Sequence, residues 1–71
     1  MIYYTIDLKI KGSEDRFEYC GYDGESLQYN PRIHLWLTAD RRRARREARK
    51  IRRHELKNNV EALIVKNRVR V

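Results

Sequence analysis

Eight cationic side chains, Arg42, Arg43, Arg45, Arg46, Arg49, Lys50, Arg53 and Lys57, crowd into one short stretch of the chain. Guanidinium groups grip phosphate or carboxylate bidentately and stack on planar bases, so this composition suits recognition of an anionic polymer. On a helical wheel of about 100° per residue, with Ala44 at zero, the eight fall in an arc from about 100° to 260°. That arc points away from Ala44, Ala48 and Ile51, the segment's apolar stripe. The acids Asp40, Glu47 and Glu55 sit near the apolar edge, where i+3 spacing offers them Arg43, Lys50 and Arg52. A merely solvated helix mixes both signs outward. Here Arg42 repels Arg46, Arg45 repels Arg49 and Arg49 repels Arg53, which implies a counter-charge from outside the chain.

The charge is local. Residues 39–57 hold ten bases and three acids, a difference equal to the net charge of +7 of the whole 71-residue chain. Residues 1–38 carry four bases against six acids, and residues 58–71 three bases against one. A field concentrated in this way attracts polyanions and adds little to folding. Nucleic acid is the expected partner: the helix could lie in the major groove of DNA, or along the deep groove or a widened bulge of structured RNA. Six or so phosphate contacts would give a logarithmic salt slope of about −5. With no Asn or Gln outward, contacts should go mostly to the backbone, any base preference being for guanine. The alternative expectation is an acidic protein partner, with the chain acting as a small interaction or inhibitor protein of the phage or mobile-element type.

Other constellations are sparse. Cys20, His34 and His54 have no metal-ligand spacing, the acids between residues 14 and 25 have no partner base, and Gly12, Gly21 and Gly24 form no phosphate loop. Neither catalysis, a metal nor another cofactor is expected. Tyr3, His34 and Trp36 form a possible stacking surface for exposed bases on one sheet face, or else a contact between copies.

The elements that must position these residues follow from periodicity. Ile2, Tyr4, Ile6, Leu8 and Ile10 alternate with polar residues, the pattern of a strand with one buried face. Arg16 to Tyr22 reads as a second strand, with Phe17 and Tyr19 on one face; Asp23-Gly24 marks a type I′ hairpin, and a short return strand runs through Leu27 and Tyr29. Arg32 to Leu37 reads as another strand, with Ile33, Leu35 and Leu37 inward. Thr38 is placed as N-cap of a helix that ends near Lys57, with Asn58-Asn59 tolerating left-handed geometry. Glu55 falls on the apolar side, which implies a distorted last turn or an ion pair with Arg52. Val60 to Val71 reads as a closing strand.

The expected architecture is α+β: one small domain over residues 1–71, with an antiparallel sheet of three or four strands, then one helix, then a C-terminal strand, the helix packed on one face. Strands followed by a helix over Met1 to Lys57 resemble, in topology and without a shared motif, the small three-stranded-sheet-plus-helix DNA-binding domains of the integrase arm-binding type. That resemblance implies DNA contact through the sheet, whereas this chain carries its charge on the helix. At this length a single core is marginal, so a homodimer is a plausible source of added stability. One cysteine, and an N-terminus lacking the apolar run of a signal peptide, suit a cytoplasmic location, including that of an infected host cell.

Overall fold

Alternation of Ile and Leu with polar residues builds the central strand, β1 (Ile2–Ile10). Ile6 and Leu8 are buried on one face, while Ile2 and Ile10 at the strand ends are exposed. The computed structural model describes residues 1–30 and 35–69. β1 is followed by β2 (Arg16–Asp23), β3 (Ser26–Tyr29), the helix α1 (Arg41–His54), a 3₁₀ turn (Leu56–Asn58) and β4 (Val60–Arg68). The strands form one antiparallel sheet in the order β3-β2-β1-β4, with α1 across one face. The expected fold class is thus the observed one.

The two neighbours of β1 engage it unequally. β4 pairs with all nine of its residues, from Ile2↔Arg68 to Ile10↔Val60. β2 pairs only at Asp7–Lys9 and then diverges. The segment ahead of the helix fills the fork: Thr38 and Tyr4 exchange backbone hydrogen bonds, and Trp36 N–H donates to the Tyr19 carbonyl at 3.2 Å. Directly paired residues share a face, so Thr38 and Trp36 point to the helix side with Tyr4, Ile6 and Leu8.

Trp36 therefore packs on the core, 5.8 Å from the Tyr19 ring, while Leu37 is 54 % exposed. This reverses the faces expected for the segment. Period-2 alternation states which residues go together, and the pairing register decides which set is inward. Here the register with Tyr4 buries the large aromatic. Of the strand expected from Arg32 to Leu37, residues 32–34 lie outside the described residues and 35–37 form no strand; Thr38 makes an isolated bridge to Tyr4.

A bulge re-aims β2. Tyr19 pairs with Tyr29 and Gly21 with Gln28, so one extra residue enters β2 between them, and Gly21 takes φ +103° to allow it. Tyr19 and Tyr22, three residues apart, consequently both face the helix. The hairpin loop is one residue later than expected: Asp23 pairs with Ser26, and the positive φ falls on Gly24, the first loop residue, as in a type II′ turn.

The helix buries the stripe read from the wheel: Ala44, Ala48 and Ile51 are fully inaccessible, and Ala48 and Ile51 join Ile6, Leu8, Tyr19 and Ala62 in the core. Its N-cap is Asp40, not Thr38. Asp40 Oδ1 accepts from the backbone of Arg42 at 2.8 Å and Arg43 at 3.4 Å, and Thr38 Oγ1 supports the cap from behind by accepting from Asp40 N–H. Thr38 is held by its backbone in the bridge to Tyr4, so the cap falls two residues downstream. The helix stops at His54, and Asn59 takes the left-handed geometry (φ 54°).

Candidate functional site

The helical segment carries few acids, and the fold turns two of them toward the sheet, Glu47 within α1 and Glu55 at its C-cap. The Tyr19 hydroxyl, brought under the helix by β2, donates to Glu47 Oε2 at 2.7 Å. The Tyr22 hydroxyl, placed by the bulge, donates to Glu55 Oε1 at 3.4 Å, and Asn58 Nδ2 donates to Glu55 Oε2 at 2.8 Å. Burial, reinforced by the adjacent carboxylates, holds both phenols protonated: Tyr22 is pushed up to about 12 and Tyr19 higher still. Glu47 also reaches Lys50 at 3.6 Å. Glu55 does not pair with Arg52; its bonds to Tyr22 and Asn58 tighten the chain into the 3₁₀ turn.

The eight expected cations separate accordingly. Toward β2, the Arg43 guanidinium lies 5.9 Å from the Trp36 ring centre, and Lys50 Nζ lies 5.1 Å from the Tyr22 ring centre as well as beside Glu47. These two are partly engaged within the molecule. Lys57 leaves the arc, because the helix ends three residues before it and the 3₁₀ turn carries it elsewhere. Arg42, Arg45, Arg46, Arg49 and Arg53 remain as an exposed ridge. Ion pairs among the described residues join Asp7 to Arg16 and Glu47 to Lys50, and none involves the ridge.

The ridge runs about 16 Å along the helix, at a rise of about 1.5 Å per residue. Four of its members border, with Asp40, a shallow cleft of about 510 Å³. Among the described residues lining this cleft Asp40 is the acid, and its Oδ1 is committed to the helix cap. Arg52, which the wheel places on the flank, donates from Nη2 to the Ala62 carbonyl at 3.2 Å, its stem lying along the sheet. The chemistry on offer is a row of exposed guanidinium donors in water on one helix face. The half-buried Cys20 thiol is pushed up by burial and then by Glu18, the reverse of what a reactive thiolate needs.

Of the possible stacking surface, Tyr3 and Trp36 lie on opposite faces of the sheet. Tyr3, out of phase with Ile6 and Leu8, lies on the face opposite the helix, whereas Trp36 lies under Arg43; His34 falls outside the described residues. His54 tilts against Tyr22, with ring centres 5.9 Å apart. Sequence reasoning missed the two tyrosine–glutamate bonds. Their one visible sign was Gly21 inside a strand pattern, which marks a bulge.

Among the described residues, no group of three or more His, Cys, Asp or Glu is placed to hold a metal ion, and no helix is long and apolar enough to cross a membrane. Neither a family model, a curated protein nor a solved structure matches the chain.

Proposed function

We propose that the chain binds nucleic acid by laying the ridge Arg42, Arg45, Arg46, Arg49 and Arg53 against phosphates. One observation carries the reading: the acids of the helical segment serve sheet tyrosines, a lysine and a cap, and among the described residues the five guanidiniums have no carboxylate partner. Five adjacent cations repel one another in the free protein, and a polyanion removes that repulsion while releasing its condensed counterions. The five share one strip of the helix, bordered on the β2 side by Arg43 and Lys50, which are engaged with Trp36 and Tyr22. A single line of donors suits one run of backbone phosphates and gives little sequence readout.

Fluorescence anisotropy with labelled duplex DNA, hairpin RNA and single strands tests this directly. Five phosphate contacts predict a logarithmic salt slope of about −4 to −5 on duplex DNA. Affinity that barely changes between low and moderate salt, or absence of binding to all three probes, overturns the proposal. Affinity capture from lysate with and without nuclease addresses the rival acidic-protein partner: a stoichiometric acidic protein that survives nuclease treatment, with no nucleic acid eluting from the untreated sample, would replace this reading.

A further inference from the structure

We propose that the free edge of β4 pairs antiparallel with β4 of a second copy, about a two-fold axis through Ile64. The backbone phase of β4 is fixed by its outermost bonds: Val69 N–H donates to the Met1 carbonyl and Lys11 N–H to the Asn59 carbonyl. Odd-numbered residues therefore face β1 with both backbone groups, in register with Tyr3↔Asn67, Thr5↔Val65 and Asp7↔Leu63. Val60, Ala62, Ile64, Lys66 and Arg68 turn their N–H and C=O groups outward along the edge. Among the described residues, one of these groups has a side-chain partner, the Ala62 carbonyl held by Arg52. That oxygen keeps a second lone pair for a strand N–H.

The strand is nine residues long, unshifted in register, free of proline, and centred on Ile64. An uncovered edge of this kind is a template for another strand. A two-fold axis at Ile64 uses its whole length and sets Leu63 against Val65 and Glu61 against Asn67 on the open face. On the helix side Ile64 meets its own copy, Lys66 faces Ala62, and Arg68 faces Val60. No like charges stand directly opposite. Moving the axis to Lys66 would set two ammonium groups face to face. Moving it in either direction shortens the overlap of the nine-residue strand, so length and charge together select the Ile64 register.

Exposed apolar groups gather at the same edge. Leu56 is 74 % and Ile64 36 % accessible, and a shallow cleft of about 370 Å³ beside the strand is lined by Arg52, Leu56, Val60, Glu61, Ala62 and Leu63. The second copy's strand end would cover it. Because the axis stands perpendicular to the sheet, both helices lie on one face of a continuous eight-stranded sheet. Their Arg52 flanks turn toward the seam, Arg52 already reaching the edge of β4. A basic trough between the helices follows, and that consequence alone rests on the polyanion reading above.

Sedimentation equilibrium of the full chain, from micromolar to millimolar concentration, tests the pairing in about 0.3 M salt, where a Debye length of about 6 Å screens the charge on each copy. The expected result is a concentration-dependent doubling of the 8.7 kDa mass. Lys66→Pro removes an outward N–H that the β1 ladder does not use, at an exposed position, so the variant should keep its circular dichroism. It deletes two symmetry-related hydrogen bonds and should weaken association roughly ten-fold or more. In amide exchange on the wild type, Ile64 and Lys66 should become protected only as concentration rises, while Val65 and Asn67 are protected throughout. A wild-type monomer at the highest concentration, a folded Lys66→Pro variant that dimerises as well as wild type, or fast exchange at Ile64 and Lys66 in the dimer overturns the proposal. Should Lys66→Pro fail to fold, the exchange pattern decides by itself. No nucleic acid is present, so the outcome is independent of the binding assay.

Discussion

Among the described residues Tyr19 is the largest fully buried side chain, and its hydroxyl ends on Glu47. A phenol buried beside a carboxylate cannot readily lose its proton, and Tyr22 beside Glu55 shares the condition. The sign of the pH dependence follows. In the unfolded chain both phenols release protons near their ordinary value of 10.0, whereas the folded chain holds them to about 12 for Tyr22 and beyond for Tyr19. Between those limits the unfolded state binds fewer protons, so stability falls as pH rises. Below the ordinary tyrosine value the contribution is fully present. Urea midpoints measured from neutral pH into this alkaline window should decline, and the Tyr19→Phe, Tyr22→Phe double variant should decline less steeply. Equal slopes would mean that other groups set the alkaline limit. The wheel placed Glu47 and Glu55 at the apolar edge; the identity of their partners was not legible, because it depends on a bulge in a distant strand.

At the scale of elements, the helix shows how short-range and long-range rules divide the work. Its buried stripe was readable, since Ala44, Ala48 and Ile51 recur at helical spacing and are the largest apolar set available to that face. Its start was misplaced by two residues. Thr38 is a competent cap by type, yet its backbone is held in a bridge to Tyr4, which leaves Asp40 as the first residue free to turn and cap. Asp40→Ala should therefore cost about 0.5–2 kcal/mol of stability, and Asp40→Asn much less, because the amide oxygen can still accept from Arg42 and Arg43. Thermal or urea denaturation checks both. A full-sized loss in the Asn variant would show that charge, not the cap hydrogen bond, is what Asp40 supplies.

Across the whole molecule, charge and fold are separable. The arginines of the ridge point outward from a helix anchored by three small or aliphatic residues, so the core does not depend on them. Replacing Arg42, Arg46, Arg49 and Arg53 with glutamine lowers the net charge from +7 to +3 and keeps good helix formers at each position. Circular dichroism and the melting temperature should change little, while affinity for nucleic acid falls by several orders of magnitude at moderate salt. Unfolding of this variant would mean that the arginines serve structure, and unchanged binding would exclude the ridge as the contact surface.

The sequence by itself determined the α+β class, the alternating central strand, the helix and its buried stripe, and the concentration of positive charge on the opposite side. These rest on local periodicity, which each segment carries alone. Tertiary structure decided which cations stay free. Trp36 turned under the helix because Thr38 pairs with Tyr4, and Tyr22 turned inward because β2 gains a residue at Gly21. Both reversals come from a pairing register set between distant strands. A one-residue shift there exchanges the two faces of a strand; Gly21 marks where β2 can shift, but which partner residues the shifted strand meets is set outside it.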